Sequence, residues 1–348
     1  MTDTPEKAPI PPEKPAAQRL KPLVKWRWHI AVGMLVALAI GISAFVSPWF
    51  AQERPEGAQP VQVSIEPGDT LTRAAERLEE AGVISSAGRF TLLAKLLGGG
   101  GAIRAGEYEF YAQEGWSQHL TTLEEGRTIR RAVAIPEGLP SVLVHERLMA
   151  AEELTGEVAV PEEGSVLPAS WDYRRGESRA AVLARMQQGM TAELERAWAA
   201  RSANAPVSTP REAIILASIV EKETAKPEER RRVAGVYANR LRIGMPLQAD
   251  PTVIYPVTRG RPLGRRILRS ELNDSSNTYN TYARRGLPSG PIANPGRESI
   301  AAALDPEQHD FLYFVADGSG GHVFARTLEE HNANVERWYA LRRSRGEM

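Results

Sequence analysis

LASIVEKETA (residues 216–225) is apolar on nearly every side for two turns and then ends in Glu221-Lys222-Glu223. The helix it belongs to starts at about Arg211, after the break Asn204–Pro210, and a new helix begins at Pro227, a residue suited to the first helical position. Two carboxylates therefore lie at a helix–helix junction. At 3.6 residues per turn Glu221 shares its face with Ile214, Ala217 and Ser218, and Glu223 with Leu216, Ile219 and Val220, so periodicity does not choose between them. An unpaired carboxyl in such surroundings has its charged form disfavoured, which raises its pKa from about 4.3 toward neutrality and suits it to general acid work. The plain alternative is a solvated helix end in which Glu221 or Glu223 pairs with Lys222, Lys226 or Arg230.

Outward from this stretch, the chain of 348 residues is 42% apolar and 25% charged, enough to bury a core over two domains or one domain with an appendage. Lysines and arginines number 43, as do aspartates and glutamates, and no basic stripe is interleaved with aromatics; nucleic acid is not an expected partner. The absence of cysteine excludes disulfides and thiolate metal sites. His322 and His331 lack a third histidine or a cysteine nearby, so packing or substrate contact is the better reading than metal ligation.

Residues 1–25 are rich in proline and charge and read as a disordered tail. From Ile30 to Phe50 there are 21 residues without a charge, about the length needed to cross a bilayer, so a transmembrane anchor is expected over 26–50, flanked by Trp26, Trp28 and Trp49. Arg19, Lys21, Lys25 and Arg27 precede it and only Arg54 closely follows, a bias that puts the N-terminus in the cytoplasm and the rest outside. Val46–Phe50 makes a poor cleavage site for a signal peptide.

After a linker over 51–60, VQVSI (61–65) alternates like a strand, Pro67-Gly68-Asp69 supplies a turn and N-cap, and Leu71, Ala74, Ala75 and Leu78 mark the buried face of a helix. A second helix over Phe90–Leu97, a Gly98–Gly101 breaker, a strand EYEFY and a helix closed by Gly126 complete a small α/β module assigned to 61–135. Its PGDTL turn resembles the start of a LysM-type peptidoglycan-binding repeat. Downstream, RAVAIPEGL reads as strand and turn, Ser141–Glu153 and Ser178–Arg201 as helices, Gly164–Tyr173 as irregular, and FLYFV and HVFAR as a hairpin about DGSGG. A helix follows Asn294 and Pro295, which are read as its cap. The fold class is α+β, with the larger mixed domain over 136–345.

Four blocks carry a resemblance: LASIVEKETA, YANRLRIGMPLQADPTVIY (237–255), YNTYARRGLPSGPIANPG (279–296) and YFVADGSGGHVFARTLEEHN (313–332). In order and spacing they resemble the YceG-like endolytic murein transglycosylases, over roughly residues 60–340. Where many members read EGxLFPDTY, this chain reads EGSVLPASWDY (163–173), with Ala169 in place of the usual Asp. The resemblance implies a catalytic domain held by a single-pass anchor in a bacterial inner membrane that cleaves between N-acetylmuramic acid and N-acetylglucosamine of nascent peptidoglycan. It also implies 1,6-anhydro ends, terminated glycan elongation, and partners in peptidoglycan synthesis such as penicillin-binding proteins. It implies that the first glutamate of the IVEKE block, Glu221, is the acid/base, and that the reaction needs no metal or organic cofactor. Gln248 and Asp250 are candidates for holding sugar hydroxyls or orienting that acid, and Tyr279, Asn280 and Tyr282 combine aromatic faces with amide groups as a glycan cleft would. A non-catalytic peptidoglycan-binding scaffold and a hydrolase using Asp250 to activate water are the alternatives.

Overall fold

The computed structural model describes residues 2, 21–50, 56–98 and 101–347, with backbone alone over 21–25. It divides into two compact units between Ile129 and Arg130.

The first unit opens with α1 (Lys21–Val46), which includes Lys21–Lys25 of the expected tail; the rest of that tail, apart from residue 2, lies outside the described residues. Residues Trp26–Trp49 are long and apolar enough to span a membrane. Of the expected linker, residues 51–55 lie outside the described residues, as do 99 and 100 of the glycine breaker. The module that follows runs β1 (Val61–Ile65), α2 (Leu71–Glu80), α3 (Ala87–Leu97), β2 (Gly106–Phe110), α4 (Trp116–Glu125). Strands β1 and β2 pair antiparallel with Val63 opposite Tyr108. Alternate residues Val63, Ile65, Tyr108 and Phe110 turn inward and meet Leu78, Phe90, Leu93 and Leu123 in one core, as a period-two strand and a 3.6-period helix dictate. The N-cap of α2 is Thr70, whose hydroxyl accepts from the Arg73 N–H, while Asp69 turns back to accept from the Glu66 N–H. Gly126 ends α4 in the left-handed conformation, φ 70°.

The second unit begins with β3 (Arg131–Ala134), followed by α5 (Ser141–Met149), β4 (Ser170–Tyr173) and α6 (Arg179–Ala199). Strand β3, assigned by sequence to the small module, pairs antiparallel with β4 and so belongs here; part of the stretch read as irregular is thus a strand. Its Trp171 lies against Gly189 of α6, where a side chain would collide with the indole, and donates its ring N–H to the Leu167 carbonyl. The EGSVLPASWDY stretch is in this way tied into packing.

At the centre is α7 (Pro210–Glu223), capped by the Thr209 hydroxyl and buried without interruption from Ala213 to Val220. A helix apolar all round must be enclosed on every side, and α6, α8 (Arg230–Arg242), α9 (Asp250–Thr258) and α11 (Arg297–Leu304), which follows the short α10 (Arg269–Leu272), all pack against it. The hairpin β5 (Tyr313–Ala316) and β6 (His322–Ala325) then leads into α12 (Leu328–Ser344), whose capping box is Thr327 with Glu330. The cap of α11 differs from expectation. Gly296 is its N-cap and has no side chain to offer, while Asn294 is fully buried and spent elsewhere, accepting from the Val166 N–H and donating to the Leu139 carbonyl.

Candidate active site

The end of α7 sends its two glutamates to opposite sides, because residues two apart on a helix differ by about 200°. Glu221 points toward the start of α11. Its carboxylate accepts the Gly296 N–H at 2.9 Å, lies 3.7 Å from the Arg230 guanidinium, and is 6% exposed. Arg230 is shared with Glu137, 2.9 Å away. The missing side-chain cap of α11 is thereby supplied from a distant helix: an anionic oxygen meets a free N–H at the positive end of the helix dipole.

Glu223 lines a cleft of about 470 Å³ to which α8, α9, β5 and α12 also contribute, and which Glu221 does not line. Burial pushes its carboxyl up from 4.5 to about 7, the nearby Asp250 charge adds to the rise, and a hydrogen bond with Tyr237 and the charge of Arg240 oppose it. Each of these neighbours is itself fixed. Tyr237 is buried in α8, and its hydroxyl is held neutral first by burial and then by the adjacent Glu223. One turn on, the Arg240 guanidinium donates to the carbonyls of Leu247 and Leu312, each at 2.7 Å, and so plants the loop before α9 and the strand β5 against the same helix.

Gln248 and Asp250 both face this cleft, as their sequence position suggested. Gln248 holds φ at 51°, in the left-handed region, and its N–H donates to the Thr281 carbonyl. The buried hydroxyls of Thr252 and Thr281, 2.8 Å apart, continue the seam between this turn and the 279–282 segment. That seam brings the Tyr282 hydroxyl onto the Asp250 carboxylate, which it donates to, and burial together with that carboxylate raises the Tyr282 pKa. Asp250, as the first residue of α9, is also where a negative charge suits the helix dipole.

Two of the expected binding residues are placed elsewhere. Asn280 is fully buried, its amide donating to the carbonyls of Glu271, Leu272 and Asp274 and its oxygen accepting from the N–H groups of Tyr282 and Ala283. With both ends of the amide committed it builds the loop and has nothing to offer a sugar. Tyr279 packs on Tyr255, ring centroids 5.1 Å apart, with Gly290 close beneath its hydroxyl. Tyr282 alone of the three reaches the cleft.

The structure adds cleft residues that the sequence did not single out, Tyr237, Arg240, Tyr313 and Asn332, and places His331, read there as a packing or substrate-contact residue, beside them. His331 stacks on Tyr313 at 5.2 Å, and burial and the Arg240 charge lower its pKa, favouring the neutral ring. His322 is instead bound by its Nδ1 to Glu229 at 2.7 Å. Among the described residues no group of three histidine, aspartate or glutamate side chains is placed to hold a metal ion.

An α+β unit with a polar cleft, holding one carboxyl raised toward neutrality beside a second carboxyl, has the groups needed for acid–base chemistry. By its sequence the chain belongs to the YceG-like family, whose model matches residues 63–337. It is 35% identical over 178 residues to an endolytic murein transglycosylase of Bacillus subtilis (strain 168), covering 51% of this chain and 48% of that protein. It is 34% identical over 179 residues to one of Streptococcus pneumoniae serotype 2 (strain D39), covering 50% of this chain and 31% of that one. The matched regions thus span about half or less of those relatives. A crystal structure of a YceG-like protein from Listeria monocytogenes shares 27% identity and a TM-score of 0.47, covering 80% of this chain and 99% of that one.

Proposed function

We propose that this protein is a membrane-anchored lytic transglycosylase that cuts glycan strands of peptidoglycan internally, with Glu223 as its single acid/base. Family membership and the names of its relatives support the class of reaction. The observation that carries the assignment is the Glu223 carboxyl, held near pH 7 by burial at the edge of a polar cleft. Glu221, to which the resemblance alone assigned this role, is occupied in capping α11.

The chemistry fits one such group. Protonated Glu223 gives its proton to the glycosidic oxygen as the bond from C1 of N-acetylmuramic acid to that oxygen breaks, releasing the N-acetylglucosamine hydroxyl. The C6 hydroxyl of the same muramic acid attacks C1, closing a 1,6-anhydro ring, and its proton returns to the Glu223 carboxylate. No water is consumed, and the intramolecular attack gains from proximity, worth ~7 to 11 kcal/mol in favourable cases. Asp250, fixed by Tyr282, places a negative charge where the sugar develops positive charge, and Gln248 and Asn332 offer amides to its hydroxyl and acetamido groups.

The presence of Asp250 in the cleft supports one rival, a hydrolase in which it activates water. Product ends separate the two. Digesting purified murein with the intact protein and weighing the fragments gives anhydro termini on the transglycosylase reading and reducing termini on the hydrolase reading; intact murein leaves only a scaffold. The apolar α1, with basic residues before it, supports a single-pass anchor with a cytoplasmic N-terminus and a cleft that meets strands near the membrane surface. In that position the enzyme would end elongation of nascent strands beside the penicillin-binding proteins that make them. The small module, by its resemblance to a LysM repeat, is read as a glycan contact.

A further inference from the structure

The end of α1 is fastened to the small module. The Arg89 guanidinium donates to the carbonyls of Ala44 and Phe45 at 2.6 and 2.8 Å, and it lies over the rings of Phe45 and Trp116 at 4.9 and 5.5 Å. Trp49 is buried in the module core, its ring 6.2 Å from that of Phe90. A cation on the last carbonyls of a helix satisfies groups left without intrahelical partners and complements the dipole. The first turn of α3 is therefore held at the level where the membrane-length helix ends.

Leu92 and Leu96 follow Arg89 at spacings of three and seven, hence on its face of α3. They are 46% and 68% exposed, and Leu97 is 52% exposed. Single exposed leucines are ordinary on soluble proteins. Here, however, all the exposed large apolar side chains among the described residues 56–129 fall on this one helix. The helix also carries Arg89 and Lys95 and no carboxylate, the charge pattern of an interfacial segment facing anionic headgroups.

We propose that α3 lies in the surface of the bilayer that α1 crosses, with Leu92, Leu96 and Leu97 in the headgroup and acyl boundary and Lys95 reaching to the headgroups, so that the module is moored to the lipid. This rests on the reading of α1 as a membrane span. Helices of this kind sink ~5 to 10 Å into the interface. Phe50, 61% exposed just beyond α1, adds to the same boundary.

Since the chain has no cysteine, one can be placed at will. The full-length protein carrying Leu96→Cys, Glu109→Cys or Val36→Cys, labelled with an environment-sensitive fluorophore, is reconstituted into vesicles of phosphatidylcholine and phosphatidylglycerol with or without acyl-chain nitroxide lipid. Quenching at 96 several-fold stronger than at the exposed β2 position 109, and weakened when phosphatidylglycerol is omitted, supports the mooring. A label at 96 no better quenched than at 109, with 36 strongly quenched, overturns it while leaving the span intact. No quenching at 36 removes the span itself. Energy transfer between labels at 96 on separate copies, rising with protein density and without lipid quenching, shows a self-association face and also overturns the proposal.

Discussion

The residues turned into the cleft and those turned into the scaffold have the same chemistry and opposite fates. Glu221 and Glu223 leave one helix end two residues apart; one meets a guanidinium and a helix N-terminus, the other a buried tyrosine and a second carboxylate. The first set of partners complements a charge, so that carboxylate consolidates structure. For the second, burial and the Asp250 charge outweigh the Tyr237 hydrogen bond and the Arg240 charge, so that carboxyl keeps its proton up to about pH 7. Tyr282 and Asn280 repeat the contrast in the next segment: the tyrosine ends on a cleft carboxylate and the amide is consumed by loop carbonyls. What separates the two members of each pair is thus where their partners lie, in the cleft or in the scaffold, which residue type does not disclose.

The sharpest way to break the comparison is Glu223→Gln. Loss of the proposed proton donor should lower kcat/KM on murein by ~10³-fold, within the range for general acids. The same change should stabilise the fold at pH 8. The folded pKa of about 7 lies above the value of 4.5 without burial, so the folded state holds its proton more tightly, and stability falls as pH rises between those values. Above pH 7 the full penalty applies, at most ~3 kcal/mol, and glutamine does not incur it. Denaturant melts at pH 4.5 and pH 8 should show the variant gaining on the wild type only at the higher pH. Retained murein cleavage would return the acid role to another group.

Asn280→Ala should do the reverse. It leaves three carbonyls and two N–H groups of a buried loop without their partner, a loss of ~3 kcal/mol or more. A fall in melting temperature without a specific change in KM at a temperature where the variant is folded marks a scaffold residue. A raised KM with an unchanged melt would make it a sugar contact.

Glu221→Gln should be milder. Arg230 keeps Glu137 and the new amide oxygen still accepts from Gly296, so about 1 to 2 kcal/mol of stability is lost, and activity on murein stays within a few-fold of wild type. Anhydro products that vanish in this variant while its melt is unchanged would reverse the roles of the two glutamates.

The extent to which sequence disclosed this follows from what each feature depends on. The membrane-length helix, the buried α7 and the β1–α2–α3–β2 order rest on local composition and period, and they were legible. Strand β3 was misplaced because its partner lies some forty residues on. Caps were misread wherever the nearest polar side chain was not the one used: Thr70 for Asp69, and Glu221 acting from a distance on α11 for Asn294. The tie between Glu221 and Glu223 could not be broken by period, since α7 is apolar on both faces; α8, α9 and α12 line the cleft beside Glu223, and where they lie is not written in the period of α7. Gln248, Asp250 and Tyr282 reach the cleft, whereas Asn280 and Tyr279, of equally suitable type, do not.

The smallest expected effect tests how far the cleft's two carboxyls act as a pair. Asp250 is one of the causes that raise the Glu223 pKa, behind burial. Asp250→Asn removes that charge while keeping a side chain that can still meet the Tyr282 hydroxyl. Because the acid role proposed for Glu223 needs its protonated form, kcat/KM should fall above about pH 7 in the wild type, and the variant's decline should begin at lower pH by a fraction of a unit. Its maximal rate should fall as well, since the developing positive charge on the sugar loses its facing anion. A shift of the decline to higher pH would mean that Asp250 acts on Glu223 through a hydrogen bond to its charged form. An unmoved profile with lost activity would assign Asp250 to the substrate alone.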